Sequence, residues 1–178
     1  MTKYQNAIEL SRKIRNIPNF PEDGIQFKDI TPLLNSNDSF RLLSEILLEK
    51  YENKGITKVV GIESRGFWVG TVLALGLNAG FVPIRKPGKL PCKVVEKKYE
   101  KEYGYDSLQI HEDALTKEDV VLIHDDLLAT GGTMLAAYDL VKGMGVKQIY
   151  INFIVELELL KGRANFPLDT NIISIIKL

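Results

Sequence analysis

The chain has 178 residues, of which 45% are hydrophobic and 26% charged, which is ordinary for one globular domain with a full hydrophobic core. Lys plus Arg and Asp plus Glu both number 23, so the formal net charge is zero and no global field attracts nucleic acid or an anionic membrane. The single cysteine, Cys92, excludes an internal disulfide and favours a reducing cytoplasm, and no apolar stretch reaches the length of a membrane span.

The first half of the chain alternates helical and extended patterns. The predicted elements are helices over residues 4–15, 39–51 and 67–78 and strands over residues 58–62 and 82–85. Between the first two helices, Pro, Asp and Gly at residues 20–24 predict an exposed loop. Because a strand, a helix and a second strand follow one another from residue 58, the sequence favours a parallel sheet.

The second half contains a polar insertion followed by the rest of the sheet. Residues 86–118 are charged and aromatic, and they predict either a solvated hairpin or a mobile flap. After the insertion come predicted strands over residues 120–123, 148–155 and 172–176 and a helix over residues 133–142. No repeat or linker divides the chain, so we predict a single α/β domain over residues 1–178 with a helical hood at residues 1–35.

The strongest local pattern is VVLIHDDLLATGGTM at residues 120–134, where an apolar strand runs into two carboxylates, a Gly-Gly turn and a helix. Backbone N–H groups at a helix N-terminus bind phosphate, and glycines permit its close approach. Two aspartates at the carboxyl end of a strand can accept hydrogen bonds from a ribose cis-diol. The pattern therefore predicts a ribose 5-phosphate site, formed by Asp125, Asp126, Ala129, Thr130, Gly131, Gly132 and Thr133. The alternative is a solvated strand end followed by an ordinary turn.

This stretch resembles the signature of type I phosphoribosyltransferases, which use 5-phosphoribosyl 1-pyrophosphate. Five further blocks resemble the adenine phosphoribosyltransferase family and stand in its order, namely residues 20–34, 61–67, 85–91, 102–104, and 155–157 with 161–163. The resemblance implies the single-domain type I phosphoribosyltransferase fold, with a mostly parallel twisted sheet flanked by helices, an N-terminal hood and a flexible catalytic flap at residues 86–118. It also implies transfer of the phosphoribosyl group to adenine, which gives AMP and pyrophosphate in purine salvage.

The resemblance assigns the pyrophosphate to two basic segments. Ser64 and Arg65 follow the strand at residues 58–62 and can hold pyrophosphate with backbone amides and a guanidinium, while Arg85, Lys86 and Lys89 face the same group. The family's non-proline cis peptide would fall between Glu63 and Ser64. We expect Mg²⁺ to be carried mainly by substrate oxygens and water, with no direct protein ligand. The alternatives are a surface ion pair for Arg65 and a solvated basic face for the other three cations.

The resemblance also assigns base chemistry and base recognition. Glu102, on the flap, takes the proton that adenine loses, and Arg65 is counted with it as catalytic. Backbone groups of Gln26 and Lys28 read the adenine edge, and Phe27 and Leu127 hold its ring; some relatives have arginine where Lys28 stands. The alternatives are that Glu102 is one charge in a Lys/Glu-rich run and that Phe27 is simple core.

Two alternative functions remain open from the sequence, and the resemblance also predicts a homodimer. The same transfer to a 6-oxopurine is the near competitor, but those enzymes place base recognition toward the C-terminus. A regulator that binds phosphoribosyl pyrophosphate without transferring it is the distant one, although no basic stripe or helix-turn-helix is visible. The family forms homodimers, so we expect a homodimer. His124, which interrupts an apolar strand, is predicted to be a core residue whose side chain points away from the ligand face of the two aspartates.

Overall fold

The computed structural model describes residues 3–100 and 104–178, which fall into two compact units, Met1–Glu49 and Lys50–Leu178. The first unit contains α1 (Lys3–Ser11), β1 (Arg15–Pro18), β2 (Gln26–Asp29), α2 (Thr31–Asn35) and most of α3 (Asn37–Tyr51). The division leaves the single domain over residues 1–178 as a prediction.

The first predicted helix ends earlier than the sequence pattern suggests. It stops at Ser11, because residues from Arg15 onward pair as β1 with β2 in an antiparallel two-stranded ribbon. An ion pair of 3.1 Å between Arg15 and Asp29 joins the two strands. Asp29 also accepts a hydrogen bond of 2.9 Å from the backbone N–H of Thr31, which ties the ribbon to the start of α2.

The second unit is built on a five-stranded parallel sheet with the strand order β4-β3-β7-β8-β9. Its elements in chain order are β3 (Lys58–Ile62), α4 (Arg65–Gly76), β4 (Gly80–Ile84), β5 (Val94–Glu100), β6 (Tyr105–His111), β7 (Val120–Leu128), α5 (Gly132–Gly143), β8 (Gln148–Glu156) and β9 (Asn171–Lys177). The predicted α/β class, with a central parallel sheet flanked by helices, is confirmed. Parallel strands bring their carboxyl ends to one edge of the sheet, where α/β proteins place ligands.

The polar insertion forms the antiparallel hairpin β5–β6, but only part of it is solvated. Leu108 and Ile110 of β6 are fully buried in the main hydrophobic cluster, together with Ile123 of β7 and Met134 of α5. Burial of apolar side chains on β6 is favourable because it removes them from water. The hairpin is therefore part of the core along its second strand.

Strand β7 is longer than its apolar run predicts. It continues from Val120 to Leu128, because β8 pairs with it as far as the Leu128–Glu156 register, whereas pairing with β3 stops at His124. The prediction that the two aspartates follow the strand is corrected by this geometry. Asp125 and Asp126 lie within β7, on the portion that extends beyond its β3 neighbour.

Candidate active site

The two aspartates of β7 lie beside the first residue of α4. Oδ2 of Asp126, a residue only 2% exposed, is 3.1 Å from Nη1 of Arg65. The backbone N–H of Asp126 donates to Oδ1 of Asp125 at 2.9 Å. A Cβ atom on Gly66 would meet the carbonyl oxygen of His124 at 2.7 Å, so only glycine allows α4 to begin this close to β7. The tight approach places the Arg65 guanidinium over the acidic pair.

Burial perturbs both carboxyl groups of this pair. Burial, together with the negative charge of Asp126, raises the pKa of Asp125 well above its ordinary value. Burial also raises the pKa of Asp126, although Arg65 opposes that shift. A cation or a set of hydrogen-bond donors would therefore stabilise the fully ionised pair.

Residues 129–133, here called the phosphate loop, connect β7 to the 12-residue helix α5. Gly131 caps the helix with φ = 88°, a left-handed conformation that favours glycine, and its carbonyl accepts the N–H of Leu135 at 2.9 Å. The loop thus places backbone N–H groups at the positive end of a helix dipole, where an anion is favoured. This local geometry is the one that the sequence pattern predicts.

Two 3₁₀ turns, Glu158–Leu160 and Gly162–Asn165, here called the bracing turns, follow β8, and the second of them contacts the phosphate loop. A Cβ atom on Gly131 would lie 2.6 Å from the carbonyl oxygen of Gly162, and one on Gly162 would collide with that of Ala129. Asn165 Nδ2 donates to the carbonyl of Thr130 at 2.7 Å. No role was predicted for Gly162 or Asn165 from the sequence, although Gly162 lies within residues 161–163, which resemble the family.

Arg163 anchors the bracing segment to the sheet. Its guanidinium contacts Glu156 of β8 at 3.0 and 2.6 Å and donates to the carbonyl of Ile172 in β9 at 2.8 Å. A bidentate pair of this kind fixes geometry as well as charge. The loop, the bracing turns and the ends of β8 and β9 consequently form one packed assembly.

Residues 85–89, here called the basic loop, follow β4 and gather around Glu63. The Glu63 carboxylate accepts from Arg85 Nε and Nη2 at 3.3 and 3.2 Å, from the backbone N–H of Lys86 at 3.0 Å and from Lys89 Nζ at 2.5 Å. Partial burial acts to raise the pKa of Glu63, but Lys89, the Lys86 amide and Arg85 together lower it to about 2. The predicted cis peptide between Glu63 and Ser64 is present.

Glu63, which the sequence marked only as one side of the predicted cis peptide, is therefore the centre of this cluster. It brings Arg85 and Lys89 together at the carboxyl ends of β3 and β4, next to Ser64 and Arg65. The side chain of Lys86 has other partners. Its ammonium forms an ion pair with Asp106 of β6 and lies 3.3 Å from the hydroxyl of Tyr99 in β5. These contacts hold the pKa of Lys86 above its ordinary value, although burial opposes the shift.

The predicted adenine contacts of the first unit lie on β2. Asn16 of β1 donates to the Gln26 side chain at 2.8 Å and accepts from Lys28 Nζ at 3.0 Å. Phe27 packs edge-to-face on Phe20, with ring centroids 5.1 Å apart. Asn16 thus orders both side chains that flank Phe27. In the second unit, Leu127 is partly buried and pairs with Val155 of β8.

His124 is fully buried, as its prediction as a core residue requires. Its Nδ1 is 2.5 Å from the amide oxygen of Asn152 on β8, and a Cβ on Gly70 of α4 would be 3.5 Å from its ring. Burial lowers the pKa of His124 to about 4, although the Asn152 hydrogen bond opposes the shift. The ring is therefore neutral near pH 7, with Nδ1 as the donor to Asn152.

The predicted general base, Glu102, lies outside the described residues. Among residues 3–100 and 104–178, no group of three or more His, Cys, Asp or Glu side chains is arranged to hold a metal ion. In the same residues, no helix is long and apolar enough to cross a membrane.

Comparison with known proteins shows which family the chain resembles throughout its length. Residues 29–172 match the phosphoribosyl transferase domain model. The chain is 57% identical over 169 residues to the adenine phosphoribosyltransferase of Bacteroides thetaiotaomicron, covering 95% of this chain and 96% of that one. The crystal structure of adenine phosphoribosyltransferase from Rhodothermus marinus is 47% identical with a TM-score of 0.94, over 98% of this chain and 99% of that one. The Saccharomyces cerevisiae enzyme, complexed with adenine and an imino-altritol bisphosphate, is 38% identical with a TM-score of 0.90, over 97% and 99% of the two chains.

Proposed function

The chain belongs to the adenine phosphoribosyltransferase family, and on that basis we infer that it transfers the 5-phosphoribosyl group of 5-phosphoribosyl 1-pyrophosphate to adenine. The products are AMP and pyrophosphate, and the reaction is a purine salvage step. The observation that carries this function is the junction of β7 and α5, where the half-buried Asp125, the buried Asp126 and Arg65 meet the phosphate loop at the carboxyl edge of the sheet.

The phosphate loop is proposed to hold the 5′-phosphate of the ribose. Support comes from the capping conformation of Gly131, the backbone N–H groups of residues 129–133 at the start of α5 and the hydroxyls of Thr130 and Thr133. The loop is also held by protein contacts, because the backbones of Gly131 and Gly162 approach each other closely. The loop is therefore preorganised for the anion.

Asp125 and Asp126 are proposed to face the ribose hydroxyls. The ribose diol supplies hydrogen-bond donors, and donors offset the burial that raises the pKa of both carboxyl groups. Arg65 lies 3.1 Å from Asp126 and next to Ser64 in the chain. It is proposed to act with Ser64 on the departing pyrophosphate.

Mg²⁺ is proposed as a cofactor carried by the substrate. The carboxylate oxygens of Asp125 and Asp126 are the donor type that this hard cation prefers, while the described residues lack a cluster of three or more protein ligands. This donor set fits a Mg²⁺ ion held mainly by substrate oxygens and water. When bound, the ion neutralises charge on the pyrophosphate.

Arg85, Lys86 and Lys89 are proposed to bind the pyrophosphate. Arg85 and Lys89 already converge on one carboxylate, Glu63, which shows that their cationic ends can close around a single anion. As the bond between the anomeric carbon and pyrophosphate breaks, positive charge develops on the sugar and negative charge on the leaving group. Cations fixed near the leaving group favour that separation.

Glu102 is proposed as the general base. As a ring nitrogen of adenine bonds to the anomeric carbon, the base loses a proton, which the carboxylate accepts; in the reverse reaction the acid returns it. The hairpin β5–β6 carries the segment that contains Glu102, and its closure would exclude water from the activated sugar. Adenine recognition by Gln26, Phe27, Lys28 and Leu127 stays a prediction.

A homodimer and a cytoplasmic location are proposed together. Homodimer formation follows from the family resemblance, and within such a dimer the basic loop could serve the neighbouring site. A cytoplasmic location is proposed because the exposed free thiol of Cys92 is stable in a reducing compartment.

The test is a steady-state assay of the purified protein with phosphoribosyl pyrophosphate, Mg²⁺ and, in turn, adenine, hypoxanthine, guanine and xanthine. We expect turnover with adenine alone, and a loss of at least about a hundredfold in kcat for Glu102→Ala. Glu112→Ala, a carboxylate removed from an exposed position after β6, serves as the control and should retain activity. Turnover of a 6-oxopurine would overturn the assignment of the base, and sugar binding without turnover of any base would favour the regulator.

A further inference from the structure

The hydroxyl of Tyr99 is a junction of three elements of the second unit. It accepts hydrogen bonds from Thr133 Oγ1 and from Lys86 Nζ, both at 3.3 Å, and donates to Asp106 Oδ2 at 3.2 Å. A phenol oxygen has one proton to donate and two lone pairs, so this arrangement uses its whole hydrogen-bonding capacity. The Lys86 ammonium also lies 5.7 Å from the centre of the Tyr99 ring.

Each partner of Tyr99 comes from a different part of the site. Thr133 belongs to the phosphate loop, Lys86 to the basic loop and Asp106 to the second strand of the hairpin. Tyr99 itself is three residues before Glu102 in the chain, on the strand that leads to it. The roles proposed above give this phenol no part in the transfer, yet it contacts both anion-binding loops.

Thr133 cannot serve Tyr99 and a bound phosphate with the same proton. Its hydroxyl carries one hydrogen, which it donates to Tyr99 in this structure. The oxygens of a phosphate dianion act as acceptors, and charge-assisted hydrogen bonds to them are stronger than neutral ones. A 5′-phosphate in the loop therefore draws the Thr133 proton away from Tyr99.

We propose that Tyr99 is a positioning residue that reports occupancy of the phosphate loop to the β5–β6 hairpin. This inference rests on the proposed function, because it takes residues 129–133 as the 5′-phosphate site. When the phosphate takes the Thr133 hydrogen bond, Tyr99 is released from α5 and stays with Asp106 and Lys86. The Lys97–Asp139 ion pair still joins β5 to α5, so the change is confined to Tyr99 and its neighbours in the hairpin and depends on whether a 5′-phosphate is bound.

The coupling has a consequence for substrate choice. A ribose ligand that lacks the 5′-phosphate leaves the Thr133–Tyr99 hydrogen bond intact and the hairpin in its resting position. A ligand with the phosphate breaks that bond. Tyr99 would thus respond only to phosphorylated sugars.

Hydrogen–deuterium exchange of the full-length protein tests the coupling, with ribose 5-phosphate and ribose as probes. In the wild type, ribose 5-phosphate should protect residues 129–133 and change exchange in residues 94–111, whereas ribose should change neither. In Tyr99→Phe, the phosphate loop should still be protected while the hairpin no longer responds. Tyr105→Phe, which removes a phenol hydroxyl from a residue 79% exposed on the same hairpin, is the matched control and should behave as the wild type.

The possible results distinguish failure of the Tyr99 coupling from failure of the proposed 5′-phosphate site. Failure of ribose 5-phosphate to protect residues 129–133 in the wild type would remove the phosphate site itself. Protection of the loop without any response of the wild-type hairpin would overturn the coupling alone, and that arm needs no variant. An unchanged ligand response of the hairpin in Tyr99→Phe would also overturn it, even if exchange there were faster throughout.

Kinetics provide a second readout that a merely structural role would not produce. Loss of the Tyr99 hydroxyl and its three hydrogen bonds in Tyr99→Phe should lower kcat about three- to tenfold, whereas the affinity for ribose 5-phosphate should stay equal or rise, because the Thr133 proton no longer has a competing acceptor. A parallel loss of affinity and kcat would contradict the proposal, since that is the pattern of general loosening.

Discussion

The phosphate loop and the basic loop lie at the same edge of the sheet, but different interactions hold them in place. Backbone packing fixes the phosphate loop, because Gly131 and Gly162 are in contact and Asn165 binds the Thr130 carbonyl. Side-chain charges hold the basic loop, because Arg85 and Lys89 converge on Glu63. The phosphate loop is held by contacts within the protein backbone. The cations of the basic loop are instead paired with a carboxylate of the protein, Glu63. A site for two anionic groups can thus combine one rigid half with one half that exchanges partners.

Arg65 pairs with Asp126 of β7 and follows Glu63 and Ser64 in the chain, so its removal should produce the largest effect. Arg65→Gln removes the 3.1 Å ion pair with buried Asp126, and with it the proposed donor to the leaving pyrophosphate. We expect kcat/KM for phosphoribosyl pyrophosphate to fall at least about a hundredfold, which corresponds to about 2.7 kcal/mol of transition-state stabilisation. Steady-state kinetics measure it, with the exposed Arg41→Gln as control. A change of less than tenfold would mean that the halves work independently.

The rigid half should be sensitive to a single methyl group. Gly162→Ala introduces a Cβ against the Ala129 carbonyl and should lower the free energy of unfolding by about 1–3 kcal/mol, while raising KM for phosphoribosyl pyrophosphate. Gly143→Ala, at the end of α5 with open space around the new Cβ, is the matched control and should be neutral or stabilising. Denaturant titration compares the two variants; equal stabilities would show that the bracing contact is soft.

Burial of His124, between β7 and α4, should make the free energy of unfolding depend on pH. His124 has a folded pKa of about 4 against 6.5 in the unfolded chain, so the unfolded state binds a proton that the folded state excludes. Its contribution is therefore full above pH 6.5 and declines as the pH falls toward 4, by about 2 kcal/mol at pH 5. The raised pKa values of Asp125 and Asp126 act in the opposite direction.

A paired variant isolates the histidine from the aspartates. Replacing both members of the hydrogen-bonded pair, as in His124→Leu with Asn152→Leu, avoids leaving a buried polar group without a partner. Urea titrations at pH 7 and pH 5 should show a smaller loss of stability in the double variant than in the wild type. The same pH dependence in both proteins would show that His124 titrates near its ordinary value.

Removing the charge that holds the basic loop should have the smallest effect, mainly on the KM for phosphoribosyl pyrophosphate. Glu63→Gln keeps hydrogen-bond acceptance but removes the charge that gathers Arg85 and Lys89, so KM for phosphoribosyl pyrophosphate should rise about three- to tenfold with little change in kcat. Initial-rate measurements at varied substrate provide the comparison, with Glu112→Gln as control. A fall in KM would instead identify Glu63 as a competitor of pyrophosphate for the same cations.

The rigid half was largely predictable from the sequence because its signals are local. An apolar run, two aspartates, two glycines and a helix are contiguous, so the strand, the turn and α5 follow from neighbouring residues. The extension of β7 to Leu128 was not predictable in this way, since it depends on register with β8, whose pairing residues lie about thirty positions away. For the same reason the end of the first helix was misplaced, because β1 forms only by pairing with β2.

The ion pairs of the other half could not be predicted residue by residue. Nothing near Glu63 in the sequence indicates that its partners are Arg85 and Lys89, because they meet only when β3 and β4 lie side by side. Gly162 and Arg163 stood in a block typical of the family, but their bracing role depends on contacts with the phosphate loop and with Glu156. Local patterns therefore predicted the strand, the loop and the helix of the proposed phosphate site, and tertiary contacts determined how the loop is held.

The most direct test of the account is a single-turnover experiment with the protein in excess over phosphoribosyl pyrophosphate, in the presence of Mg²⁺ and adenine. The account predicts one AMP and one pyrophosphate for each substrate molecule in the wild type, and a transfer rate reduced at least about a hundredfold when Asp125→Asn and Asp126→Asn are combined. Release of free ribose 5-phosphate in place of AMP, or an undiminished rate in the double variant, would contradict it.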